Sequence, residues 1–325
     1  MRILYRGHFE PTHSTESHVS RSLELLGHEV VRAQESTVSW QDTMRFADGC
    51  DLFLWTSTWD FQQLWPHQEM TGALRWLADR MPTVAYHLDL YGRLSREWQV
   101  IDRRRGNAMF GCQWVFTPDG DSGRLWERAD VNHRFLPPGV FGPECVDGMP
   151  RDEYRSDVAF VGSWQGYAHA EHAPYRAKMM DLLRGRYGDQ LGLWPRVGQP
   201  AVRGQALNDL YASVKVVAGD SCLAHLPETH FYWSDRVPET VGRGGFLVHP
   251  AVEGLMESLP EGMGISYYPK NDFDGMIERI DWWLAHDDER EEARCKGQAF
   301  IRENHTYEHR MRQVLDVLAT EGAWG

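Results

Sequence analysis

The chain lacks most of the features that would tie it to a membrane, an oxidising compartment or a bound metal. No apolar run approaches the roughly 18 residues of a bilayer span. Its first residues, Met1-Arg2-Ile3-Leu4-Tyr5, read as a strand rather than a leader, because no long apolar stretch or small-residue cleavage site follows. A cytoplasmic location is the expectation. The five cysteines, at 50, 112, 145, 222 and 295, form no Cys-x-x-Cys pair and no zinc spacing, so free thiols in a reducing compartment are expected. Asp119-Gly120-Asp121 sits in a turn without the apolar strand context of a cation-binding Asp-x-Asp, and no metal is expected. No full Gly-x-Gly-x-x-Gly is present, which leaves a dinucleotide-dependent dehydrogenase without support.

Lysine is also scarce. Only four of the 34 basic residues are lysines, namely Lys178, Lys215, Lys270 and Lys296. A GC-rich genome accounts for that bias. The net charge of −13 disfavours a broad electrostatic grip on nucleic acid. One local exception is the run that holds Arg93, Arg96, Arg103, Arg104 and Arg105 against Glu97 and Asp102.

What is present is a well-patterned globular chain. Its 325 residues suit two domains of roughly 150 residues each, and 42% apolar residues are enough for two cores. Fourteen tryptophans suit core and interface positions, with some available as a sugar or base platform. Short apolar runs alternate with helical patterns throughout. Strands are predicted at 1–5, 28–32, 50–55, 82–87, 114–117, 157–161, 191–194, 214–218, 246–249 and 265–268. Helices are predicted at 17–26, 69–78, 175–186, 207–213 and 272–286, with a last helical region from 287 to 320. Such alternation implies parallel sheets covered on both faces, an α/β class. Leu136-Pro137-Pro138-Gly139-Val140 interrupts the pattern as a stiff linker. Two doubly wound Rossmann-like domains facing a cleft are expected, over 1–140 and 141–303. In such sheets ligands bind at the carboxyl ends of the strands.

The most informative segment is Ser234-Asp235-Arg236-Val237-Pro238-Glu239-Thr240-Val241-Gly242-Arg243-Gly244-Gly245-Phe246-Leu247-Val248. Arg236 and Glu239 have the spacing of neighbours on a helix face. The segment then breaks at a glycine pair and enters an apolar strand. An arginine can meet phosphate oxygens in a fork, and a carboxylate can accept two ribose hydroxyls. A bland alternative is an ordinary helix, a glycine C-cap and a buried strand. The segment resembles the donor-site signature of GT-B glycosyltransferases, especially the CgeB-like (spore-maturation type) branch. There a Ser-x-Arg-x-x-Glu run leads into a Gly-Gly-Phe-Leu turn. The resemblance covers roughly 155–315 well and the first half only in general layout. Within that half, Gly27-His28-Glu29-Val30-Val31 is similar to the step after the first helix in many GT-B enzymes.

The resemblance implies a nucleotide-sugar donor on the second domain, with a uridine diphosphate sugar favoured. Arg236 would lie on the diphosphate and Glu239 on the ribose. Arg243 or Lys215 would be a second cation, so that arginine and helix termini rather than a metal stabilise the leaving group. Gly162, Ser163 and Trp164, at the end of the first strand of this domain, would face the donor. So would Asp220 and Ser221 after a later strand, and Ser234, Gly244 and Gly245 complete the expected donor set. Phe231 departs from the pattern, since many retaining relatives carry a second glutamate there. His305-Thr306-Tyr307-Glu308-His309-Arg310 matches the family's His-x-Tyr-x-x-Arg, where residues 304–325 would form a helix crossing back to the first domain. His305 and His309 have the spacing of a helical metal pair, but no third ligand is in view.

The acceptor side would be the first domain. Two polar clusters follow its strands: His8 to His18 and Tyr86 to Gly92. A base taking the acceptor's proton is sought among Asp89 and His13, then His87 and Glu16. A helix cap for Asp89 and solvated loop positions for the histidines are the bland alternative. Glu16, Arg103, Arg104 and Arg105 are the candidate contacts to acceptor or DNA. The acceptor classes are a small molecule, a glycan precursor, or a hydroxymethylated pyrimidine in bacteriophage DNA, whose capture needs a phosphate grip and stacking surfaces. Two other readings stay open: a GT-B-type sugar-nucleotide epimerase and a non-catalytic sugar-nucleotide-binding module.

Overall fold

The computed structural model describes residues 1–56, 65–88, 107–164 and 172–324. The chain divides into two compact units, Met1–Pro137 with Tyr307–Gly325, and Pro138–Thr306. Each is built on one all-parallel sheet.

In the first unit the strands are β1 (Arg2–Gly7), β2 (Glu29–Gln34), β3 (Leu52–Trp55), β4 (Thr83–Tyr86), β5 (Trp114–Thr117) and β6 (His133–Phe135), in the order β2-β1-β3-β4-β5-β6. The helices are α1 (Thr15–Leu25), α2 (Trp40–Phe46), α3 (His67–Ala78) and α4 (Gly123–Arg128). β3 and β4 are buried at every residue, as strands covered on both faces must be. Leu4, Phe53, Trp55, Ala85 and Val115 share one core with Trp40 of α2 and Met70, Leu74 and Leu77 of α3. α1 starts where it does because the Ser14 hydroxyl accepts the Ser17 N–H at 3.1 Å.

In the second unit β7 (Ser156–Val161), β8 (Leu191–Trp194), β9 (Val214–Ala218), β10 (Leu247–Pro250) and β11 (Ile265–Tyr268) run in the order β11-β10-β9-β7-β8. The helices are α5 (Ala173–Tyr187), α6 (Gln205–Ser213), α7 (Arg236–Gly242), α8 (Glu253–Ser258), α9 (Phe273–Ala285) and α10 (Asp287–Asn304). The strand period of two splits the core. Ala159, Val217 and Leu247 pack with α6, α7 and α8, whereas Phe160, Val216 and Val248 pack with α5 and α9.

The last helical region is two helices rather than one. α10 ends at Asn304, and α11 (Tyr307–Thr320) belongs to the first unit, where it packs on α1. His305 donates its backbone N–H to Ile301 at 2.7 Å, and its carbonyl accepts from Val140 at 3.2 Å. The break therefore lies where the chain leaves the second unit beside the strand that enters it. His305 and His309 are not on one helix, so the spacing read as a metal pair does not apply.

Candidate functional site

From β7 the chain first adds β8 on one side and then β9 on the other, so the crevice between the ends of β7 and β9 is a topological switch point. Gly162 follows β7 with φ of 146°, and a side chain there would collide with the Arg236 guanidinium. A glycine at this turn lets the arginine lie against the backbone. Arg236 is the first residue of α7, and its Cζ sits 4.8 Å over the Phe160 ring.

Beneath the arginine lies Asp220, which is completely buried. Arg236 donates to its carboxylate, and to its carbonyl at 2.8 Å. Arg176 on α5 donates to both carboxylate oxygens, at 2.7 and 2.8 Å, and His172 Nε2 lies 2.7 Å from Oδ2. Burial alone would raise the Asp220 pKa, but Arg236, the His172 hydrogen bond and Arg176 outweigh it and hold the carboxyl well below its usual range. Among the described residues this group sets two guanidiniums against one carboxylate, so with neutral histidine it carries one excess positive charge. Asp220 thus holds the Arg236 and Arg176 guanidiniums in place.

Ser221 and Ser234 join this floor. The Ser221 hydroxyl lies 2.6 Å from His249 Nε2 and 2.9 Å from the Ser234 hydroxyl. His249 Nδ1 lies 2.8 Å from the Pro250 carbonyl, so its Nε2 accepts while the ring is neutral. Burial pushes His249 down to about 4, which keeps it neutral. Ser163 is exposed, and its carbonyl accepts from Arg176 at 2.8 Å. Trp164 donates its indole N–H to the Pro195 carbonyl at 2.9 Å, which anchors the turn after β7.

Arg236 and Glu239 do not act on each other. Glu239 accepts from Arg243 at 2.6 Å, one helical turn on, and Arg243 also reaches Glu144 and, at 2.8 Å, Asn208. Burial would lower the Arg243 pKa, yet the two glutamates raise it. Arg243 is thus committed to holding Glu239 in place. Lys215 pairs with Asp157 at 2.9 Å near the start of its strand, away from the carboxyl edge. Among the described residues, the cation that stands beside Arg236 on Asp220 is Arg176. His172 and Arg176 stand four apart at the head of the helix that follows β7, and that spacing was the signal available in the sequence.

The glycine pair has its own explanation. The N–H of Gly245 reaches Thr240 O at 2.8 Å and that of Gly244 reaches Val241 O at 3.0 Å, with φ of 80° at Gly244. This is a Schellman C-cap. A Cβ on Gly245 would meet the Thr240 carbonyl at 2.9 Å. The pair ends α7 and aims β10.

The first unit has a matching crevice between β1 and β3. A Cβ on Gly7 would meet Glu16 Cγ at 2.8 Å and the Thr56 carbonyl at 3.1 Å. Glu16, in the first turn of α1, is completely buried. Burial first, and the Glu16 carboxylate next, raise the Tyr5 phenol well above its usual range. His13 is exposed on the loop after β1, its ring 6.3 Å from that of His18. His87, buried just past β4, donates its backbone N–H to Phe116 at 3.1 Å. Asp89, Arg103, Arg104 and Arg105 lie outside the described residues. Tyr307 and Arg310 are buried in the same unit, and Tyr307 packs 6.2 Å from His18.

The model of the family described as glycosyl transferase-like matches residues 149–316, more than half of the chain. The chain belongs to that family. The match takes in the whole crevice of this glycosyltransferase, from β7 to α10. Its fold is shared with solved structures at low identity. Sucrose-phosphate synthase of Thermosynechococcus elongatus aligns over 100% of both chains at 12% identity and a TM-score of 0.62. A Rickettsia africae glycosyltransferase aligns over 97% of each chain at 10% identity and a TM-score of 0.61. Anabaena HepE in complex with UDP aligns over 98% of this chain and 100% of its own, at 13% identity and a TM-score of 0.59. No curated protein matches the sequence. The enzyme is thus an α/β glycosyltransferase of GT-B type with two parallel-sheet units. No helix among the described residues is long and apolar enough to cross a membrane.

Proposed function

We propose that this glycosyltransferase moves a sugar from a uridine diphosphate sugar to an acceptor hydroxyl, with the donor seated on the second unit. The observation that carries the reading is the Arg236–Asp220–Arg176 group at the β7–β9 switch point, which presents excess positive charge above a glycine. On this reading Arg236 and Arg176 meet the diphosphate. Glu239, fixed by Arg243, turns its other carboxylate oxygen to the ribose. Anabaena HepE, of the same fold, has been solved with UDP and with UDP-glucose, which supports a uridine donor. The Ser234-x-Arg236-x-x-Glu239 run supports a place in the CgeB-like branch. As the sugar leaves, preformed guanidiniums compensate the charge that develops on the diphosphate. The acceptor's proton passes to a group at the carboxyl edge of the first unit, where His13, His87 and Glu16 stand, or to Asp89. The acceptor is a small molecule, a glycan precursor or a hydroxymethylated base in DNA.

The test is a panel of nucleotide sugars with the purified protein, read first as thermal stabilisation. Each donor is then incubated with glycan acceptors and with DNA containing hydroxymethylated pyrimidines, followed by mass spectrometry. Stabilisation by uridine diphosphate sugars above others is expected, with a sugar-sized mass gain on one acceptor class. No response to any nucleotide sugar would overturn the reading.

A further inference from the structure

Granted the donor seat on the second unit, the protons around His172 give that site a further property. His172 is buried at the N-cap position of α5. Its Nε2 lies 2.7 Å from Asp220 Oδ2, and its Nδ1 lies 3.0 Å from Nδ1 of His225. An ionised carboxylate only accepts, so His172 Nε2 carries a proton. Between the two Nδ1 atoms there is room for one hydrogen. With both rings neutral it sits on His225, and His172 accepts it. One added proton turns one ring into an imidazolium; a second would set two N–H groups against each other. The pair therefore holds at most one extra positive charge, and holds it facing Asp220.

Among the described residues, the groups around the pair come from five elements. Tyr175 on α5 stacks on His172 at 5.2 Å and lies 5.5 Å from His225, and its hydroxyl is 3.2 Å from that of Tyr268 on β11. Arg176 on α5, Asp220 after β9 and Arg236 on α7 carry the local charge. Glu228 and the Cys222 backbone act on His225 from its own loop. That loop is tied down by Lys270, which donates to the carbonyls of Leu226, Pro227 and Thr229, and by Asn271, which donates to the His225 carbonyl at 3.0 Å. Without a donor, burial first and His172 next lower the His225 pKa below its ordinary value.

We propose that His172 and His225 form a proton-coupled positioning pair, which takes up one proton when the diphosphate of a nucleotide sugar binds and keeps it while the diphosphate leaves. The shared Nδ1–Nδ1 position beside Asp220 gives the proton its place, and the charges of the described residues give it a reason: the diphosphate of a nucleotide sugar brings two negative charges to a group whose excess, among the described residues, is one positive charge. A proton on the pair restores neutrality. Breaking the glycosidic bond leaves the nucleoside diphosphate with one more negative charge than it had as the sugar ester. The protonated pair therefore favours the departing group over the bound donor. The proton comes from solvent through His225, which is half-buried. By linkage, a donor that prefers the protonated pair must raise its proton affinity, and acid must tighten the donor.

The test is calorimetry of UDP-glucose binding to the intact protein in two buffers of different ionisation enthalpy. The diphosphate of UDP-glucose does not titrate between ~pH 6 and ~pH 8, whereas histidine does, so proton uptake reports the protein. The wild type is expected to take up a fraction of a proton that rises toward one as the pH falls to ~6. His225→Gln is expected to abolish that uptake, and to weaken binding several-fold more at ~pH 6 than at ~pH 8. Wild-type binding without proton uptake, or uptake that persists in His225→Gln, overturns the pair while leaving the donor seat intact. Absence of any binding heat for UDP-glucose counts against the donor seat and the pair together.

Discussion

The two sheets solve the same packing problem with opposite charges. In each, the strand from which the chain winds both ways ends at a glycine, Gly7 or Gly162. In each, a helix-borne charged side chain fills the space that a Cβ would need. The first unit places the Cβ and Cγ of Glu16 there, and the second places the Arg236 guanidinium. A carboxylate in a dry crevice is a proton acceptor or a ligand for hydroxyls. A guanidinium is a ligand for phosphate. One architecture can therefore host both halves of a transfer reaction, and the difference lies in one side chain at each switch point. The surroundings follow the same division. Tyr5 and Thr56 lie about Glu16, while Asp220, Arg176 and His172 lie about Arg236.

The comparison breaks most sharply at Asp220. Replacing it by Asn removes the carboxylate that pairs with the buried Arg176 and the half-buried Arg236. A loss of ~3–5 kcal/mol in unfolding free energy is expected, measurable by urea denaturation. A Glu16→Gln change, which keeps the side-chain volume, is expected to cost less than half as much. The next effect comes from the glycines. Gly162→Ala must displace Arg236, and a loss of donor affinity of ~10-fold or more is expected by calorimetry. Gly7→Ala displaces Glu16 instead, and is expected to lower turnover with an acceptor while donor affinity stays near the wild-type value. Glu239→Gln removes a charge-assisted contact to the ribose but leaves Arg243 paired with Glu144. A rise in donor Kd of roughly 5–10-fold is expected.

Each unit also holds a neutral histidine, half-buried in the first and buried in the second. His133 stacks on Trp126 at 4.5 Å and lies 2.8 Å from the Thr117 hydroxyl; burial pushes it down to about 3. His249 lies at about 4 for the same reason. A lowered folded pKa means that the unfolded chain takes up the proton first as the pH drops. Both contributions are therefore complete above ~6.5, and they diminish as the pH falls toward about 4 for His249 and about 3 for His133. Each site adds a slope of at most ~1.4 kcal/mol per pH unit within its window. His249→Gln is expected to remove one such slope from a pH series of denaturation midpoints, and His133→Gln the other. This is the smallest of the expected effects.

Much of the fold was legible in the sequence, and the reasons are local. Four strands fall where their apolar runs lie: Trp114–Thr117, Leu191–Trp194, Val214–Ala218 and Ile265–Tyr268. The elements that escaped notice, Trp40–Phe46, Gly123–Arg128, His133–Phe135 and Glu253–Ser258, have seven residues or fewer and show too little of a period to register. The break at His305 and Thr306 carries neither glycine nor proline; the expectation of a boundary at 303/304 came from the resemblance, and the break is set by pairing with Val140, far away in sequence. The site was legible where one segment carried it. Arg236 and Glu239 stood out by type and spacing. Arg176, His172 and His225 did not, because only the winding of the sheet brings α5 and the loop after β9 to the same crevice. Spacing alone does not say which arginine Glu239 pairs with, since Arg236 stands three residues before it and Arg243 four after.

The division of labour is tested most directly by titrating UDP-glucose into Arg236→Ala and Glu16→Gln side by side, with folding of each checked by circular dichroism. The expected result is a loss of affinity of ~30-fold or more in Arg236→Ala, about the worth of a charge-assisted contact, and near wild-type affinity in Glu16→Gln. Equal weakening in both, or full affinity in Arg236→Ala, would contradict the assignment of the donor to the second unit.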